Sequence, residues 1–159
     1  MKKNISILVG FLISLLTLSC NNSDKKHVHD PSGDEPKTLT DSLEKDIDEG
    51  HIVGMSKIGK LHNTQKEIQR IIDSIGTLPA KAKAAAAPYL EQLNKAIQDL
   101  SYADFAMDKW MTEYDMDSAK TDLQRRIKYL AEEKLKVDKM KEAILTSMQK
   151  ADSLLKTRF

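Results

Sequence analysis

The chain has 159 residues, 25 Lys and Arg against 24 Asp and Glu, and 40% apolar residues. That length is enough for one packed domain, and the near-neutral balance argues against a strongly basic nucleic-acid binder. Cys20 is the only cysteine, so disulfide frameworks, thiolate metal sites and cysteine nucleophiles are excluded from everything that follows it.

Lys2 and Lys3 form a short basic start, and Ile5 to Leu18 is an almost unbroken apolar run. It falls short of the roughly 20 residues that a membrane-spanning helix needs and fits the apolar part of a signal peptide. Small Ser19 then precedes Cys20. This pattern resembles the bacterial lipobox, with Thr17 and Leu18 standing where that motif more often has Leu and then a small residue. The resemblance implies that residues 1–19 are cleaved as a signal peptide and that Cys20 is acylated. Two or more acyl chains hold a protein stably on a membrane, at about 0.8 kcal/mol per buried CH₂. The expected location is a cell membrane or outer membrane, lipid-anchored, with the domain outside the cytoplasm.

Residues 20–38 read as a disordered tether. The stretch Asn21 to Lys37 is polar, carries Pro31, Gly33 and Pro36, and offers Val28 as its one aliphatic side chain. Too little surface is there to offset the entropy of ordering it. His27 and His29 are read as solvated, not as a metal site.

From residue 39 to 159 the pattern predicts an all-α, antiparallel three-helix bundle, rod-like and close to a coiled coil. The first helix is expected over about 41–75, with Asp41 and Glu44 spaced as a capping box. Ile47, His51, Gly54, Ile58, Leu61, Gln65, Ile68, Ile72 and Ile75 fall at alternating steps of four and three, a heptad seam. Gly76 is the expected C-cap, and Pro79 blocks continuation. The second helix is expected over about 80–114, kinked or restarted at Pro88, with a stripe of Leu90, Leu93, Ile97, Leu100, Ala103, Met107, Trp110 and Tyr114. A turn over Asp115–Ser118, capped by Asp117 or Ser118, leads to a third helix over about 119–156. Its face is Leu123, Ile127, Leu130, Val137, Ile144, Met148, Ala151 and Leu155, drifting toward Met140 where Lys134 and Lys141 occupy the strict seven-residue line. Glu132 and Lys136 are an expected i,i+4 pair, and Lys120, Arg125, Arg126 and Lys128 an expected surface cluster. Short turns between helices of similar length make neighbours antiparallel.

Three stretches carry a further resemblance. His51-Ile-Val-Gly-Met55-Ser-Lys-Ile58-Gly-Lys-Leu61 is similar to HDEVMPKMGEL, and Leu100-Ser-Tyr-Ala103-Asp104-Phe-Ala-Met107-Asp-Lys-Trp110-Met111 to L-x-x-A-D-x-A-M-x-x-W-M. Tyr129-Leu130-Ala-Glu-Glu-Lys resembles YLEEQK. All belong to a family of small Bacteroidota lipoproteins often labelled "viral A-type inclusion protein". The resemblance spans about residues 41 to 156. It implies a helical fold and a lipoprotein location, and brings no activity with it.

Folding the second helix back about Leu78 sets His51 opposite Ala106 and Met107, and the second turn then sets Met107 beside Arg126 and Ile127. His51, Met55, Met107, Trp110 and Met111 are thereby expected in one layer near the start of the first helix. Two readings of that layer stand open. Imidazole and thioether donors suit Cu(I), with Trp110 shielding the ion. Equally, Met and Trp fill cores, and His51 serves as a hydrogen-bonded polar seam position.

Enzyme motifs are absent: the sequence has no H-E-x-x-H, no G-x-S-x-G and no Gly-rich phosphate loop. A single Asp48-x-x-His51 falls short of a di-iron bundle. The leading expectation is therefore a non-enzymatic cell-envelope lipoprotein, a helical binding or spacer module. It would need no cofactor, touch the membrane through its lipid, bind no nucleic acid, and meet an envelope protein or another copy of itself. The alternative is a periplasmic Cu(I)-binding protein.

Overall fold

A computed structural model describes residues 38–157. The expected signal peptide, Cys20 and the tether up to Lys37 lie outside the described residues, as do Arg158 and Phe159. The described residues form α1 (Leu39–Gly76), α2 (Ala80–Glu113) and α3 (Leu123–Lys156), with no strand among them. Each helix packs on both others, giving the predicted three-helix bundle with α2 antiparallel to α1 and α3. At 38 residues and 1.5 Å per residue, α1 is about 57 Å long. No helix among the described residues is long and apolar enough to cross a membrane.

The start of α1 is capped one position set earlier than Asp41 and Glu44 suggest. Thr38 Oγ1 accepts the Asp41 N–H and the Asp41 carboxylate accepts the Thr38 N–H, both at 3.1 Å, a complete capping box. Glu44 is engaged elsewhere, accepting from the Arg126 guanidinium at 2.7 Å. Gly76 is not the C-cap. It closes the helix without a positive φ, and Thr77 caps it. The Thr77 and Leu78 N–H groups bond back to Ser74 and Ile75 carbonyls at 3.1 Å. This tightened last turn satisfies the terminal acceptors with no left-handed residue.

Along α1 five of the nine predicted seam residues, Ile47, Gly54, Leu61, Ile68 and Ile75, are buried, as is Thr64, and Ile58 and Ile72 are partly buried. His51 and Gln65 flank it on the α2 side, where His51 meets the Trp110 ring and Gln65 donates to Ser101 Oγ. Gly50 flanks it on the α3 side, against Val137. In α2 the buried line is Tyr89, Leu93, Ala96, Leu100, Ala103, Met107 and Trp110. Leu90, Ile97 and Tyr114 are partly buried against it. The helix runs unbroken through Pro88.

The largest corrections fall on α3. Residues 114–122 form one longer turn, with Ala119 in the left-handed region at φ 57°, and Asp122 caps α3 through the Arg125 N–H at 3.1 Å. The helix therefore starts at Leu123, not near 119, and Leu123 stands largely exposed in its first turn. The buried line is Arg126, Leu130, Glu133, Val137, Met140, Ile144, Ser147 and Ala151, again in steps of four and three, with Met148 buried beside it as expected. Lys134 and Lys141 lie beside it, both donating to Asp138, at 2.7 and 2.8 Å. Arg126 is no surface residue: it is buried, donating to the Ser118 carbonyl as well as to Glu44. Lys136 pairs with Glu133 at 2.7 Å, not with Glu132.

Candidate functional site

The end of the bundle where α1 starts holds both buried charged side chains among the described residues, Arg126 and Glu133. Trp110 on α2 donates its indole N–H to Glu133 Oε2 on α3 at 3.0 Å, and the other oxygen of this buried carboxylate accepts from Lys136 Nζ. A buried carboxylate is tolerable only when its acceptor sites are filled in this way. Aromatic rings continue from there. His51 packs 5.3 Å from Trp110, Trp110 stacks on Tyr114 at 4.8 Å, and Tyr114 faces Tyr129 at 6.2 Å. The Arg126 guanidinium closes the row 5.8 Å above Tyr129, within cation–π range. Tyr129 Oη accepts the Asp115 N–H at 2.7 Å, which ties the long turn to α3.

Burial pushes the Tyr114 and Tyr129 phenols above their ordinary value of 10.0, more than the opposing pull of Arg126 on Tyr114. Hydrogen bonds to Glu133 and Asp138 likewise hold Lys136 and Lys134 above 10.5. The folded state thus keeps all four protons more tightly than the unfolded chain. Stability from these groups is full below about pH 10 and is lost as pH climbs through the raised values. Melting temperature should hold steady to about pH 9 and fall progressively above pH 10. In Tyr114→Phe that fall should be shallower, and an equally steep fall would exclude Tyr114 as a contributor.

Of the five side chains expected in one layer, the structure brings three together. His51 lies against Trp110, and the Met107 methyl sits 2.5 Å from where a side chain on Gly54 would begin. Met55 and Met111 are 42% and 40% exposed and are not part of the interior. The turn explains the difference. Because it runs through Asp122, α3 is displaced along its neighbours, and Met107 is level with Met140, not with Arg126 and Ile127. Met140 was missed for that reason. Its methyl lies 3.6 Å from the same Gly54 position, and Ile144 Cδ1 lies at 3.3 Å. The signal that finds Met140 is the seven-residue spacing Arg126, Glu133, Met140, Ser147, once charged residues are allowed on the seam.

One atom in this layer is unusual. His51 Nε2 is buried and has no hydrogen-bond partner among the described residues, where most buried polar atoms have one. The neighbouring donors are thioethers. Among the described residues no three His, Cys, Asp or Glu side chains gather as a metal site, so what the layer offers a cation is imidazole and sulfur.

The same geometry predicts how peroxide attacks the methionines. Met107 and Met140 are 1% and 3% exposed, against 40% or more for Met55, Met111 and Met116. In the folded protein the exposed three should become sulfoxides while Met107 and Met140 persist until the bundle loosens. Peptide mapping by mass spectrometry reads this directly. Equal oxidation of Met107 and Met111 would contradict the buried layer.

A second feature lies outside the core. Between α2 and α3, Tyr102, Phe105, Ala106, Lys109, Glu113, Lys136, Lys139 and Ala143 line an open furrow of about 370 Å³ with Trp110 and Met140 at its base. Tyr102 and Phe105 are 65% and 61% exposed on its α2 edge. The furrow continues along the same helices past Lys95, Thr146 and Lys150. Comparison with family models, with curated proteins and with solved structures finds no match to this chain.

Proposed function

We propose that this chain is a non-enzymatic cell-envelope lipoprotein, held on a membrane by acyl groups on Cys20, whose bundle binds a partner protein along the α2–α3 furrow. The observation that carries the binding reading is the aromatic-and-lysine furrow itself. Two large rings stand in solvent beside Lys109, Lys136 and Lys139, and exposed aromatic residues grouped in one patch are what interfaces enrich. Lys139 and Lys150 have no ion pair among the described residues. The furrow therefore suits an amphipathic helix with acidic residues flanking an apolar stripe, the helix-in-groove mode. The lipoprotein reading is supported by the order of residues 1–20 and by the family resemblance.

A photo-crosslinking residue placed at Phe105 in producing cells tests the reading, with the exposed α1 position Gln69 as control. The expected result is a defined adduct with a different protein at Phe105 only, lost in Lys109→Glu with Lys139→Glu. An adduct of twice the chain's mass would assign the furrow to a second copy, and no adduct at Phe105 would reject the binding reading. Anchoring is tested separately. Cys20→Ser should release the protein from the membrane fraction, and retention would refute the lipid.

A further inference from the structure

We propose that the interior layer around Gly54 is a Cu(I) site built from one soft donor on each helix: His51 Nε2 of α1, the Met107 thioether of α2 and the Met140 thioether of α3. The site shares Trp110 and Met140 with the base of the furrow and needs no partner protein.

Three observations converge on it. First, Gly54 follows His51 by three residues and shares its face of α1, and the missing side chain leaves a shelf. The Met107 and Met140 methyls fill that shelf from two other helices. Each sulfur is one C–S bond behind its methyl, so the two thioethers meet at Gly54, one helical turn from His51. Second, the imidazole atom turned inward is the one with no partner. An imidazole nitrogen held dry and unpaired offers its lone pair to a cation. Third, the layer already holds a buried anion. Glu133 is fixed on the Trp110 indole at 3.0 Å, and the Trp110 ring lies against His51. A monovalent cation entering beside this ring meets a π face polarised by a carboxylate that also holds Lys136, and the π face lowers the cost of leaving water. Thioether sulfur and imidazole select a soft ion such as Cu(I), whereas hard divalent ions need oxygen donors that are not gathered here. Methionine is unbranched, so both thioethers can turn from packing to ligation without moving the helices.

Met55 and Met111 serve as built-in controls, being near in sequence and outside the interior. The test is an anaerobic titration of Cu(I) held by a chromophoric chelator. It uses the full-length chain carrying Cys20→Ser, His27→Ala and His29→Ala, so that no thiol or tether imidazole competes. The expected result is one Cu(I) per chain with quenching of Trp110, the only tryptophan. Affinity should fall at least tenfold in Met107→Leu, in Met140→Leu and in His51→Phe, and stay unchanged in Met55→Leu and Met111→Leu. Absence of binding, or binding indifferent to Met107 and Met140, would overturn the proposal, as would loss confined to the Met55 and Met111 variants. Should a core variant fail to fold, X-ray absorption at the copper edge of the parent decides. One nitrogen and two sulfur neighbours support the site, and a shell of nitrogen and oxygen alone rejects it.

Discussion

Trp110→Ala is expected to destabilise the bundle by about 3–5 kcal/mol, the range for truncating a buried tryptophan. Two losses combine there. The ring is held between His51 and Tyr114, so its removal opens a cavity across the α1–α2 contact. The indole N–H also fills one acceptor site of Glu133, and its loss leaves a buried carboxylate with Lys136 alone. Trp110→Phe separates the two. It keeps most of the ring and removes the donor, so its cost should be about 1–3 kcal/mol, that of an unmade buried hydrogen bond. Thermal melts followed by helical circular dichroism give both values. A Trp110→Ala variant within 1 kcal/mol of the parent would mean the layer is not packed as described.

The second large effect is a change of sign between identical substitutions in one helix. Gly50→Ala should destabilise by about 1–3 kcal/mol, because overpacking a tight core costs that much. A Cβ at Gly50 would fall well inside contact distance of Val137 Cγ1. Val137 is fully buried and β-branched, with little freedom to turn away. Gly59→Ala should instead stabilise by up to about 1 kcal/mol from helix propensity, since nothing lies within 4 Å of its Cβ. Denaturant midpoints for the two variants should move in opposite directions. If Gly50→Ala gains stability as Gly59→Ala does, the close α1–α3 approach is wrong.

The fold was legible where apolar residues mark the seams. The α1 line from Ile47 to Ile75 and the α2 line from Leu93 to Trp110 follow from spacing alone, because burying one stripe per helix needs a 3.5-residue repeat. Legibility failed on α3, where Arg126, Glu133 and Ser147 occupy buried positions. A hydrophobic pattern cannot see a charged residue that is buried because its partners come from other helices, and Glu44 and Trp110 are such partners. The same blindness extended to the candidate layer. His51, Met107 and Trp110 were found by folding two helices about a short turn. Met140 was not, since it depends on how far the chain travels between Tyr114 and Asp122, a path fixed by Ala119's left-handed backbone and by the Tyr129 and Arg126 contacts.

The concentration of charge and hydrogen bonds at one end has a consequence for alignment. Apolar heptad seams are nearly indifferent to a slide of one whole repeat: leucine still meets isoleucine, and little free energy separates the correct assembly from its neighbours. The half of this bundle around Ile68, Ile75 and Leu93 has that degeneracy. The other half does not. Sliding α3 by seven residues would strip the indole from Glu133 and Glu44 from Arg126 together, at about 1–3 kcal/mol for each buried group left unpaired. The polar end thus acts as a vernier mark for the whole rod, the role in which buried polar residues are best attested. It selects one alignment for helices whose remaining length would accept several.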